Sequence, residues 1–121
     1  MIWTSGLILA CIGAGFLLLR RVSQISAKAA KGFLAQGALV IDVRTNPEFQ
    51  AGHLPQAIHI PLDEIETLTT RRVQDKDHVL LLHCQSGMRS VTARRKLMQM
   101  GYTQVFNLGS YRRAARIVGR S

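Results

Sequence analysis

The 121-residue chain is poor in acid and in cysteine. Seven Asp and Glu stand against sixteen Lys and Arg, giving a formal charge of +9. So basic a balance points to an anionic partner: nucleic acid, anionic lipid or an anionic substrate. Only two cysteines are present, Cys11 inside an apolar run and Cys84 far from it, so a disulfide framework is unsupported. No His/Cys cluster has metal-ligand spacing, and neither a metal nor a cofactor is expected. Internal repeats and low-complexity segments are lacking, and the length suits one domain. From Cys84 onward there are eight basic residues and no acidic one. No nucleic-acid motif or aromatic interleaving accompanies them, so nucleic acid is not expected as a partner. A solvated helix face accounts for Arg94, Arg95 and Lys96, and contact with anionic lipid is the alternative.

Charge of either sign is missing altogether from Ile2 to Leu19. As a helix this run spans roughly 27 Å, close to the hydrocarbon thickness of a bilayer. Trp3 suits an interface, and Arg20 and Arg21 end the run. A cleaved signal peptide needs basic residues before the run and a small-x-small site after it. Neither is present, so residues 1–20 are predicted to be an uncleaved transmembrane anchor, 21–26 a linker and 27–121 the folded domain. Arg20, Arg21, Lys28 and Lys31 follow the span and none precedes it, which places the domain on the cytoplasmic side of the cell inner (plasma) membrane. A lone working thiol prefers that reducing compartment. Gly6, Ala10 and Ala14 form a small-residue ladder that suits weak pairing of two anchors into a homodimer.

Beyond the linker, strand and helix signals alternate. Ser26 is placed to cap a helix over 27–35, stopped by Gly37. Leu39–Val43 reads as a buried strand, and Asn46-Pro47-Glu48 as an N-cap with Pro in first position. A short strand at 57–60, a helix over 63–70, a strand at 79–83, a helix over 90–100, a strand at 104–108 and a basic helix over 111–118 complete the order. Such alternation predicts an α/β domain with a parallel sheet covered on both faces. Ligands of open α/β sheets bind beyond the carboxyl ends of the strands.

One strand end stands out. Val79-Leu80-Leu81-Leu82 leads into His83-Cys84-Gln85-Ser86-Gly87-Met88-Arg89-Ser90, and a helical pattern leads out. The loop opens on a helix N-terminus, where unpaired N–H groups favour a thiolate. Gly87 permits a tight turn and Arg89 brings a positive charge. The segment reads as a cradle for a nucleophilic sulfur, Cys84, with Gln85, Ser86, Gly87, Met88, Arg89 and Ser90 around an anionic substrate. A buried structural cysteine is the alternative.

Residues 42–57, Asp-Val-Arg-Thr-Asn-Pro-Glu-Phe-Gln-Ala-Gly-His-Leu-Pro-Gln-Ala, resemble the first signature of the rhodanese-like domain, and Cys84–Ser90 resembles its active-site loop. The likeness runs from about Ile25 to Leu108. It implies a largely parallel five-stranded sheet with helices on both faces, and sulfur transfer through a persulfide on Cys84. The Cys-x4-Arg spacing is that of the sulfurtransferases. The related cell-cycle phosphatases have Cys-x5-Arg, and inactive members typically replace the cysteine. Gln56 and the segment 108–111, without a Gly-Gly or a later Trp, depart from the pattern. The implied activity is transfer of a sulfane sulfur from a small anionic donor such as thiosulfate to a thiol, cyanide or a protein acceptor. A non-catalytic module recruiting a partner to the membrane is the rival.

Of the neighbouring residues, Asp42 and Arg44 are expected to fix loops, Glu48 to stabilise its helix N-terminus, and His53 to act as a strut. His83 is expected to face away from Cys84, since successive strand residues alternate faces.

Overall fold

The computed structural model describes residues 24–119. The predicted anchor, its ladder and most of the predicted linker therefore lie outside the described residues. Among the described residues no helix is long and apolar enough to cross a membrane.

Four strands form one sheet: β1 (Leu39–Asp42), β2 (Ile58–His59), β3 (Leu80–His83) and β4 (Val105–Gly109), in the order β2-β1-β3-β4, with every pairing parallel. The helices are α1 (Ala27–Ala35), α2 (Asn46–Ala51), α3 (Ile65–Arg72, entered through a 3-10 turn at Leu62–Glu64), α4 (Met88–Gln99) and α5 (Tyr111–Val118).

The inner strands β1 and β3 are apolar on both faces because both faces are covered. Ile41, Leu80, Leu82 and Cys84 pack with Ile65, Ala93 and Leu97 under α3 and α4. Val40 and Leu81 face the other way, onto Ala30, Ala114 and Ile117 of α1 and α5. Each Leu of the β3 run is fully buried, and burying such a side chain stabilises by about 1.5–3 kcal/mol.

The expected fifth strand is not formed among the described residues. Gln24 makes a single parallel bridge to Asn107, and the Ile25 N–H donates to the Asn107 carbonyl at 2.9 Å. Ser26 then caps α1, its hydroxyl accepting from the Ala29 N–H, and turns the chain into the helix. Gln24 and Ile25, within the predicted linker, thus lie against the sheet. The cap of α2 is Thr45 rather than Asn46. Its hydroxyl accepts from the Glu48 N–H while Glu48 answers to the Thr45 N–H, a capping box that leaves Pro47 in the first turn. Helix α4 begins two residues earlier than the apolar pattern indicates, at Met88, immediately after Gly87.

Candidate active site

Strand β3 carries Cys84 to the carboxyl edge of the sheet between β1 and β4. The Cys84 N–H donates to the Gly109 carbonyl at 3.2 Å, so the end of β4 holds the start of the loop. The loop then turns sharply. Gly87, at φ 98°, is the N-cap residue of α4. Its N–H points back and donates to Cys84 Sγ at 3.0 Å. A left-handed φ favours glycine, and space enforces the choice: a Cβ here would stand 3.3 Å from the Gly109 carbonyl carbon.

A second set of bonds fixes the loop from beneath. The Ser90 hydroxyl lies 3.5 Å from Cys84 Sγ and donates to Asn107 Oδ1 at 2.6 Å. Asn107 Oδ1 also accepts from the Gly109 N–H, and its Nδ2 donates to the Gly87 carbonyl at 3.3 Å. Asn107 therefore ties β4 to the middle and the far end of the turn that encloses the sulfur. It was not among the candidates read from the sequence. A polar residue within an otherwise apolar strand, Val-Phe-Asn-Leu, was the available signal.

Charged residues brace the rim. Asp42, fully buried at the end of β1, accepts from the Arg44 N–H, Nε and Nη2 at 2.8–3.1 Å. Arg44 spends its remaining donors on Gln85 Oε1 at 3.1 Å and the Gly52 carbonyl at 2.7 Å, and its guanidinium lies 4.4 Å over the Tyr111 ring. The expected loop-fixing role of this pair is what the geometry shows: it joins the first signature segment to the cysteine loop. His83 projects to the opposite face from Cys84, toward Tyr111. Its Nδ1 lies 3.2 Å from the Cys84 carbonyl. Burial lowers its pKa, and the Asp42 charge opposes that effect. We take burial to dominate, because Arg44 already neutralises Asp42; the 3.6 Å contact from Nε2 to Asp42 is then not an ion pair at neutral pH. His53, expected as a strut, places Nδ1 3.0 Å from the Phe49 carbonyl and stacks on the Phe49 ring.

Arg89 turns outward and grips Glu48 with both nitrogens, at 2.6 and 2.9 Å. Glu48 thus does more than stabilise its own helix. The Arg89 contact is the main reason its carboxyl is pulled down from 4.5 to about 2. Replacing Glu48 by Gln keeps a residue able to complete the capping box and removes only the charge. The pair is about a third exposed, so solvent screens it and about 1 kcal/mol is expected at neutral pH, or roughly 4–8 °C in Tm. A depressed carboxylate stabilises above its unfolded pKa and loses that contribution as pH falls through the folded one. The Tm gap between the parent and Glu48→Gln should therefore narrow from pH 4.5 toward 2. Thermal melts from pH 7 to 2.5 measure it, and an unchanged gap at the acid end would assign the stabilisation elsewhere.

Beside this pair lies a cleft of about 570 Å³, lined by Val43, Pro61, Leu62, Glu64, Arg89 and Lys96 among others. Of the predicted site residues, Cys84, Gly87 and Ser90 converge on the sulfur. Gln85 and Ser86 form the exposed outer rim, Met88 is half-buried in the first turn of α4, and Arg89 reaches the cleft.

A parallel α/β domain that delivers one buried cysteine into a tight loop under a helix N-terminus defines a class of cysteine-loop domains. The chain belongs to the rhodanese-like domain family, whose model matches residues 26–113. It is 39% identical over 69 residues to thiosulfate sulfurtransferase PspE of Escherichia coli, covering 57% of this chain and 66% of that protein. It is 34% identical over 89 residues to a sulfurtransferase of Allochromatium vinosum, covering 72% and 81%. Against the protein HIGH ARSENIC CONTENT 1 of Arabidopsis thaliana it is 35% identical and spans 58% of the length. Among solved structures it resembles an Escherichia coli rhodanese with anions, at TM-score 0.61 and 35% identity over 64% of this chain and 91% of that one. It likewise resembles the human single-domain sulfurtransferase TSTD1, at TM-score 0.65 and 28% identity over 78% and 96%.

Proposed function

We propose that this chain is a membrane-anchored sulfurtransferase that carries a sulfane sulfur on Cys84. The observation behind the reading is the Gly87 N–H aimed at Cys84 Sγ from within a Cys-x4-Arg loop. An N–H donor in that position stabilises negative charge on sulfur before, during and after transfer. Relatives named as thiosulfate sulfurtransferases support the same chemistry.

The Cys84 thiolate attacks the outer sulfur of thiosulfate. A new S–S bond forms, the sulfur–sulfur bond of the donor breaks, and sulfite leaves with its electron pair. The resulting Cys84 persulfide has its outer sulfur among the donors of the loop. An acceptor nucleophile, such as cyanide, a thiolate or a protein thiolate, attacks that outer sulfur, and the Cys84 thiolate departs as the leaving group. No net redox change occurs and no further co-reactant is consumed. Arg89 meets an anionic donor as half of an ion pair with Glu48, which lessens its pull on the donor and keeps its fork fixed in place. The membrane half of the proposal is supported by the charge-free run Ile2–Leu19 and by the basic residues that follow it, the pattern expected of a domain on the cytoplasmic side of the inner membrane.

The test uses the full chain in detergent. Incubation with thiosulfate should add the mass of one sulfur atom to the peptide holding Cys84, and cyanide should remove it as thiocyanate. An aryl phosphate should not be turned over, because the short loop crowds the oxygens of a phosphoryl group. No added mass and no thiocyanate would favour the non-catalytic binding module, and aryl phosphate turnover at a comparable rate would favour a phosphatase.

A further inference from the structure

The acidic residues of this chain are confined to one stretch: all seven lie between Asp42 and Asp77. Helices α1 and α5 pack side by side on one face of the sheet and carry none. They present Lys28, Lys31, Arg112, Arg113 and Arg116, and among the described residues none of these forms an ion pair. Lys28, Lys31, Arg112 and Arg116 are exposed. Between the two helices lies a hollow of about 230 Å³ lined by Ala27, Lys31, Arg113, Arg116 and Ile117. The Arg113 guanidinium is fixed at its edge, donating to the Leu108 and Ile25 carbonyls at 2.6 Å each. Burial and the nearby Arg116 both disfavour the charge on Arg113, so an anion seated here would relieve a repulsion the fold leaves in place.

Position names the occupant. The chain leaves its eighteen-residue apolar run at Leu19 and enters the described fold at Gln24, only a few residues later. Ile25 is one of the two carbonyls that hold Arg113, so the entry point and the basic hollow are adjacent. We infer that the α1/α5 face is a docking surface for an anionic phospholipid bilayer, with the hollow between Lys31 and Arg116 taking a lipid phosphate. Clustered Lys and Arg close to a membrane span draw anionic headgroups by about one kT or more apiece. The surface rests on the anchor only for its proximity to lipid; the charges and the hollow belong to the domain itself.

The test is lysine acetylation of the full chain, read residue by residue by mass spectrometry, in nanodiscs of phosphatidylcholine alone or with about a third phosphatidylglycerol. Lys28 and Lys31 should be acetylated about fivefold more slowly in the anionic discs, while Lys96, on α4 across the sheet, should not change. Half-molar salt should erase the difference. So should the double variant Arg112→Glu/Arg116→Glu, whose exposed positions leave the fold and the thiosulfate reaction intact. Equal acetylation of Lys28 and Lys31 in both discs overturns the inference. Protection of Lys31 by inorganic phosphate in detergent, equal to that given by anionic discs, also overturns it in favour of a small-anion site. Failure of the anchor is seen separately: alkaline carbonate would strip the chain from membranes. The stripped chain, added to preformed anionic vesicles, would still show Lys28 and Lys31 protected if the surface exists.

Discussion

Cys84→Ser is expected to reduce thiocyanate formation to background, a loss of about a thousandfold or more. Serine is isosteric enough to sit beneath the Gly87 N–H, and its hydroxyl accepts that bond as sulfur does. The fold should therefore survive, with a far-UV spectrum and Tm close to the parent. Chemistry fails for a different reason: an alkoxide at neutral pH is scarce, and oxygen cannot form the persulfide that stores the transferred atom. Steady-state cyanide trapping, set beside a thermal melt, separates the two effects. A variant that keeps its rate would remove Cys84 from the reaction, and with it the proposed function.

Asp42→Ala should be the most destabilising single change in the neighbourhood of the site. Asp42 is fully buried, Arg44 beside it is nearly so, and the carboxylate takes three of the donors that Arg44 offers. Removing one member of a buried pair leaves the other charged and dry, at a cost of about 3–5 kcal/mol. Domains of this size have only about 5–15 kcal/mol in total, so Tm should fall by more than about 12 °C. The double change Asp42→Leu/Arg44→Met tests the cause. If the penalty comes from the stranded guanidinium, the double variant should recover most of the lost stability. It should not recover activity fully, since Arg44 also fixes Gln85 Oε1 in the cysteine loop and the Gly52 carbonyl in the preceding turn. Urea melts give the first quantity and cyanide trapping the second. A double variant as unstable as the single one would show that the pair holds the fold by something other than charge.

What could be read from the chain alone followed the range of the interactions concerned. Local signals carried well. The Val79–Leu82 run, the Ser26 cap and Gly101 after α4 each depend on neighbours within a few residues, and the order of strands and helices followed from them. The cap of α2 falls one residue before the Asn46-Pro47 signal, because Thr45-x-x-Glu48 forms a capping box, the stronger local motif. Non-local partners were not legible. Glu48 and Arg89 stand 41 positions apart, as do Arg44 and Gln85, and only the register of β1 on β3 brings them together. Asn107 meets Ser90 because β4 sets it opposite Leu82, on the face that α4 covers, a cross-strand register no local pattern encodes. The fifth strand was expected from family likeness; among the described residues there is one bridge there and then a helix cap.

The enclosure of the sulfur carries one more consequence. Cys84 has no exposed surface, while Gln85 and Ser86 beside it are open to solvent. Any donor or oxidant approaches the sulfur past that outer loop. A thiolate left open to peroxide passes to sulfinic and sulfonic acids, most of which no cell reduces. A protein that held its cargo at the surface would spend working copies with every exposure. If Cys84 carries the sulfur as proposed, the closed loop sets a lifetime as well as a rate: the Gly87 hydrogen bond that would steady the sulfur for transfer lies in the same loop that shields it between encounters.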